Sequence, residues 1–281
     1  MKVVWRGFLS LIFIIVVAIF PLLISVENNA IVFSPNRALT VIQSSISEQM
    51  FLKYELGSEM RSIIGDVIPF GTNTFLLLTY SVLLAFAISF LFGYLINRTI
   101  LSKIVRDVMS GLSVIPDFVF VFFAILMAVK FYRATGVRLI SLSPTKPTLS
   151  IWIPMLTLSI TPTIYLVKMI SLKYEELLTE DYVRTALAKG LPKHYIDVQH
   201  LYTNLKPSLL ADCKKVVSLT IGSLFVVEFL FNISGLTKFI FLDYQFQKVA
   251  VGLMAIALIG IIVYLLLRVL LSLFEKVFIH D

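Results

Sequence analysis

The residues able to do chemistry fall into two sets. One is a polar run that reads Thr179-Glu180-Asp181-Tyr182-Val183-Arg184-Thr185-Ala186-Leu187-Ala188-Lys189-Gly190-Leu191-Pro192. The other is a pair of carboxylates, Asp117 and Glu228, each inside a long apolar stretch. The H-E-x-x-H and G-x-S-x-G patterns of zinc proteases and serine hydrolases do not occur. The histidines, His194, His200 and His280, lie outside the apolar stretches. Cys213 is the sole cysteine, which excludes an intrachain disulfide and a multi-cysteine metal site. No G-x-x-x-x-G-K-[ST] phosphate loop is present either. The residues point to no catalytic group and no metal, and to no ATP bound by this chain.

The carboxylates are informative because a charge at membrane depth is costly and faces protein or water. Glu228 sits toward one end of its apolar stretch, where pairing or capping accounts for it. Asp117 follows Pro116, where backbone groups released by a proline kink are candidate partners. Pro154, Pro162 and Tyr165 point to local kinks farther along. Phe118, Phe120, Phe122 and Phe123 read as lipid-facing and packing residues.

The elements around these residues are set by hydrophobicity. Of 281 residues 58% are hydrophobic and 15% charged, and mean hydropathy is +0.94; a soluble domain carries about 25% charged residues. Apolar runs of about twenty residues match the length needed to cross ~30 Å of hydrocarbon. Candidate spans are residues 8–26, 75–96, 108–129, 149–167, 216–233 and 249–267. They are helical because they are continuously apolar and a lone helix satisfies its own backbone in lipid. The first resembles a signal peptide but is long for one and lacks a small-x-small cleavage site, so it is read as a retained span. The expected fold is an all-α membrane protein of six transmembrane helices in the plasma (inner) membrane. Its parts would be a first helix (1–26), an extracellular amphipathic segment (27–71) and a core of five helices (72–275). The formal charge of +7 fits cytoplasmic loops beside anionic headgroups better than nucleic acid. Lys and Arg concentrate in the segments that an inside N-terminus makes cytoplasmic, which gives an N-in/C-in orientation; the loop 130–146 dissents.

Two segments outside the spans carry information. Residues 38–68 place Leu39, Ile42, Ile46, Met50 and Leu52 to Ile64 at roughly helical spacing, which predicts an amphipathic helix on the membrane or the spans. The cytoplasmic loop, 171–210, reads as two helices. Thr179 would cap the first, with Glu180 and Asp181 at its positive end. Gly190 would take the left-handed position after Lys189, and Pro192 would start a second helix lasting to Pro207. Small side chains at Thr185, Ala186 and Ala188 would let a partner approach closely. The residues alone fit equally a helix docked in a partner's groove and a connector at the lipid interface.

The run Asp181–Leu191 resembles the cytoplasmic loop of ABC importer permeases of the dipeptide, oligopeptide and nickel family, which reads D-Y-V-R-T-A-x-A-K-G-L. An H-x-x-x-N spacing follows at His200 and Asn204. The loop is that family's form of the EAA loop, with Arg184 in place of the defining Glu while Ala186 and Gly190 remain; Pro207 falls one position early. Glu228 to Leu236 resembles E-x-x-F-x-x-P-G-L, with Ser234 for proline. Pro116 and Phe118 resemble an L-P-S-F segment, with Asp117 as a departure. No R-L-x-P-G-D-P follows the first span, so the resemblance covers residues 72–275.

The resemblance implies the type I permease fold and an ATP-driven importer for peptides or a related solute such as a nickel or metallophore complex. It implies that Glu180, Asp181, Tyr182, Val183, Arg184, Thr185, Ala186, Ala188, Lys189, Gly190 and Leu191 couple to a cytoplasmic ABC ATPase that holds ATP and Mg. A second, different permease subunit and an extracytoplasmic binding protein complete the implied assembly. The rival classes are an ion-coupled transporter or channel, which favours several intramembrane charges, and a membrane enzyme, which needs clustered catalytic groups.

Overall fold

The computed structural model describes residues 2–27, 30–47, 53–56, 59–96, 101–141, 151–192, 195–196, 202–241 and 245–278. Its elements in chain order are α1 (Lys2–Ile19), a 3₁₀ turn (Phe20–Leu23), strands β1 (Ile24–Glu27) and β2 (Ala30–Phe33), α2 (Pro35–Ser47), β3 (Lys53–Leu56) and β4 (Glu59–Ser62). Helices α3 (Ile63–Ile96), α4 (Leu101–Leu112), α5 (Asp117–Thr135), α6 (Trp152–Leu178), α7 (Asp181–Ala188), α8 (Tyr202–Leu230), α9 (Leu236–Phe241) and α10 (Phe246–Phe278) follow. They form two units: Met1–Thr74 with Ser234–Ile259, and Phe75–Ile233 with Gly260–Asp281.

Among the described residues, four helices are long and apolar enough to cross a bilayer: Ile63–Phe92, Asp117–Thr135, Trp152–Leu178 and Phe246–Leu273. The apolar part of the first helical stretch, Ile12–Leu23, is shorter. Helix α8 carries Lys206, Asp212, Lys214, Lys215 and Glu228 along one continuous rod.

In the first unit, two antiparallel hairpins pair Ile24 with Phe33 and Lys53 with Ser62 at their open ends. The predicted helix over 38–68 is therefore only partly present. Residues 35–47 form α2, 53–56 and 59–62 form β3 and β4, and α3 starts at Ile63; Met50 and Leu52 lie outside the described residues. Val41 and Ile42 of α2 pack against a cluster of Ala18, Ile240, Phe246, Val249 and Ala250, so the helix's apolar side faces protein. Lys248 is 4% exposed and lies over the rings of Tyr54 and Phe239, at 4.7 and 4.9 Å from their centroids. Tyr54 in turn donates to Asp66 at 2.5 Å. Helices α3 and α9 are joined in this unit by the Thr74 hydroxyl, which accepts from the Leu236 amide at 2.8 Å, and by Asn73, which donates to the Ser234 carbonyl at 2.8 Å.

The second unit is a helical bundle whose largest helix pair is α6 with α8. Its core holds Leu77, Val121, Leu158, Leu224, Val227 and Phe231. Apolar surface alone does not join helices in lipid, where hydroxyl groups and close packing do that work. Ser81 and Ser89 of α3 donate to the carbonyls of Met155 and Thr163 on α6 at 3.1 and 3.4 Å. Pro154 falls in the first turn of α6, where its missing N–H costs nothing. Pro162 lies mid-helix and buried, surrounded by Thr157, Ser159 and Thr163, whose hydroxyls bond to backbone carbonyls.

The expected span over 108–129 is corrected. Helix α4 ends at Leu112, tight turns carry the chain through Val114 and Ile115, and α5 begins at Asp117. Pro116 adopts φ −62° and ψ 145° at the N-cap position. A proline clashes with a helical residue before it and suits a helix start, so it divides one apolar run into two helices.

Candidate functional site

Helix α6 does not stop at the expected membrane boundary near residue 168. It continues to Leu178, so the first part of the 171–210 loop is a rigid extension of a spanning helix. Thr179 is the C-cap of α6, with its hydroxyl donating to the Glu176 carbonyl at 2.7 Å. This corrects its expected role as N-cap of α7. That position belongs to Glu180, in extended backbone with no side-chain cap bond. Asp181 occupies the first turn, where a carboxylate meets the positive end of the helix.

The end of α7 follows from one glycine. Gly190 has φ +74°, its amide donates to Leu187 at 3.0 Å, and the Leu191 amide reaches back to Ala186 at 3.3 Å. That 6→1 and 5→2 pair closes a Schellman motif, which requires a left-handed residue where Gly is strain-free. The Pro192 carbonyl then accepts from Tyr195 and Ile196, so a new turn starts at the proline. Pro207 does not end a helix; it sits inside α8. Of the His200–Asn204 spacing, His200 lies outside the described residues. Asn204 faces Tyr182, where burial pushes the phenol above its ordinary value, Asn204 pulls it down and Glu180 adds to the rise.

Faces divide cleanly on α7. Val183 is 0% and Ala186 5% exposed, and both point inward with Leu177 and Ile196 also buried. Ala186 therefore packs within this chain rather than admitting a partner. Asp181, Arg184, Thr185, Leu187, Ala188, Lys189 and Gly190 face outward, while Leu191 is half-buried. Leu187, 48% exposed, is the large apolar side chain of the outer face, and sequence reasoning passed over it. The Arg184–Asp181 pair, at 3.9 Å and well exposed, adds little. Helix α6 beneath is braced to α4 by an Arg106–Glu175 ion pair and by Lys168 donating to Ser110 at 3.2 Å.

At membrane depth Asp117 finds side-chain donors rather than backbone groups. Thr161 of α6 donates to Oδ1 at 2.6 Å and Ser223 of α8 donates to Oδ2, so one carboxylate joins three helices. Its place in the first turn of α5 adds favourable dipole charge. Glu228 is fully buried, and α8 ends just beyond it in a second Schellman motif. Asn232 there has φ 55°, and the Ile233 amide donates to the Glu228 carbonyl at 2.9 Å. Phe118, Phe122 and Phe123 are 49%, 51% and 59% exposed, as expected of a face turned to hydrocarbon. An apolar groove of about 920 Å³ runs along α5 and α6 past Phe123, Met127, Phe131, Ile153, Leu156 and Ile160. Among the described residues, no cluster of His, Cys, Asp and Glu suits a metal.

A family model described as binding-protein-dependent transport system inner membrane component matches residues 85–280. The dipeptide transport system permease protein DppB of Bacillus subtilis (strain 168) is 36% identical over 88 residues, which span 31% of this chain and only 28% of that protein.

Two expected outcomes test this geometry. Gly190→Val places a β-branched residue at positive φ, at a cost of roughly 1–2 kcal/mol, so amides of Gly190 and Leu191 should exchange hydrogen faster while those of α5 do not. Unchanged exchange would contradict the Schellman assignment. Asp117→Ala should lower the melting temperature in detergent by a few degrees, from a loss of about 1–2 kcal/mol. The loss is limited because Ser223 retains a contact of 3.3 Å to the Leu219 carbonyl.

Proposed function

We propose that this chain, which belongs to the family of binding-protein-dependent transport system inner membrane components, is the permease subunit of an ATP-driven ABC importer. It is a multi-pass protein of the plasma (inner) membrane. In this reading its helices form half of a translocation path, with α1 and part of α8 completing a set of six spans and both termini inside. Helix α7 docks on a cytoplasmic ABC ATPase. ATP and Mg are held by that partner, and this chain binds no cofactor. A second, different permease subunit and an extracytoplasmic binding protein complete the assembly. The partial likeness to a dipeptide permease favours di- or oligopeptides as cargo over a nickel or metallophore complex.

The observation that carries the reading is mechanical. Helix α7 presents Arg184, Leu187, Ala188 and Lys189 outward, its inner face is buried within this chain, and it follows directly on a helix that runs without interruption from membrane depth. Force on α7 is thereby delivered to α6, and through Asp117 to α5 and α8. Closure of the ATPase shifts the permease between inward- and outward-facing states only if the two ATPase states hold α7 differently.

Leu187→Arg should leave membrane abundance unchanged, because the side chain is 48% exposed on the outer face of α7, and should lower co-purification of the co-expressed ATPase about tenfold, as for a hot-spot residue. Uptake of labelled dipeptide should fall with it. Full co-purification and uptake in the variant would contradict the docking role. Uptake of a labelled nickel chelate but not of peptide by the unaltered importer would overturn the cargo reading alone.

A further inference from the structure

Among the cations at the α7 end of the bundle, two sets differ in their partners. Arg106, Lys173 and Arg184 have carboxylate partners at Glu175, Glu176 and Asp181. Lys214, Lys215 and Arg268 have none within ion-pair distance among the described residues. They stand instead over tyrosine rings: Lys214 at 5.5 Å and Arg268 at 5.7 Å from the Tyr264 centroid, and Lys215 at 4.3 Å from that of Tyr165. Lys214 and Arg268 come from different helices, α8 and α10, and converge on one ring. Asp212 faces the Tyr165 hydroxyl and offsets Lys215 locally. Lys214 and Arg268, both exposed, have no such offset among the described residues.

What lies beside this charge decides what it binds. Along α10, Ile261, Leu265 and Val269 are 60%, 52% and 58% exposed. Such a surface requires hydrocarbon, and it adjoins Arg268 directly. The apolar spanning stretch of α10 ends at Leu273, so Arg268 lies in its last two turns, within reach of the headgroup layer. Tyrosine at that level belongs to the aromatic belt of an interface.

We propose that Lys214, Tyr264 and Arg268 form a binding site for the headgroup of an anionic phospholipid, with its acyl chains along Leu265 and Ile261. The phosphate and its negative charge supply a counterion that both cations lack among the described residues. The apolar strip beside them suits a ligand with acyl chains better than a purely water-borne one. The site stands at the end of the bundle that leads through α6 into α7, so a bound lipid would fix α8 and α10 beside the lever. The proposal does not depend on the cargo or on the ATPase.

The test uses the full-length chain in nanodiscs and native mass spectrometry, with phosphatidylglycerol and phosphatidylcholine of identical acyl chains. Phosphatidylglycerol should be retained preferentially, and the double variant Lys214→Gln with Arg268→Gln should weaken that retention about thirtyfold, from roughly 1 kcal/mol per cation. Lys173→Gln should have no effect. The conservative pair Lys214→Arg with Arg268→Lys should restore retention, which separates charge from misfolding. Equal retention of both lipids, or undiminished phosphatidylglycerol in the double variant, would overturn the proposal. Competition by millimolar inorganic phosphate as effective as by the lipid would reassign the site to a free anion. Loss of ATPase co-purification with lipid retention intact would reassign the patch to a protein interface and equally overturn it.

Discussion

A carboxylate inside a membrane protein has to find donors, and Asp117 finds them on two neighbouring helices at once. Thr161 and Ser223 give their protons to its two oxygens, so α5, α6 and α8 share one polar junction. In hydrocarbon, where apolar contact gives no preference for protein over lipid, such bonds and close packing set the relative positions of helices. The hydroxyls of Ser81 and Ser89 extend the same device from α3 to α6. Helix α6 thus receives polar contacts from three sides.

That central position gives the loop its mechanical meaning. A short helix alone is marginal in water, yet α7 is held by a C-cap that needs Gly190 and by an inner face of Val183 and Ala186. It follows directly on α6, which the Arg106–Glu175 pair joins to α4. In the proposed docking, push on the exposed Leu187 passes across the short α6–α7 junction and along α6 to Asp117. In that reading the chain supplies the lever and the path, while the energy source lies outside it.

Much of this was legible in the sequence, and the failures have physical causes. Hydropathy located the spanning helices that dominate the bundle, and Gly190 declared its left-handed position through the lack of any other residue that suits it. Pro116 was misread as a kink because the apolar run hides a helix end, although the restriction on the preceding Ile115 was available as a signal. The β3–β4 hairpin was lost to apparent helical periodicity over 38–68, and β1 was absorbed into the apolar run of the expected first span. The dipeptides Asn28-Asn29 and Gly57-Ser58, each between the two strands of a hairpin, were the overlooked turn signals. Ala186 was assigned to a partner because small residues permit close approach from either direction, and only burial tells which. The Thr161 and Ser223 partners of Asp117 lie 44 and 106 residues away in sequence, beyond any local pattern.

The central claim is that α7 is where this membrane subunit meets its ATPase. A photo-crosslinking residue placed singly at exposed Thr185 or Lys189, in cells expressing the complete importer, tests it most directly. The account predicts a crosslinked ABC ATPase from both positions, stronger or weaker according to nucleotide state, and none from the same residue at Phe118. Capture of lipid alone from Thr185 and Lys189, with no ATPase in any nucleotide state, would contradict it.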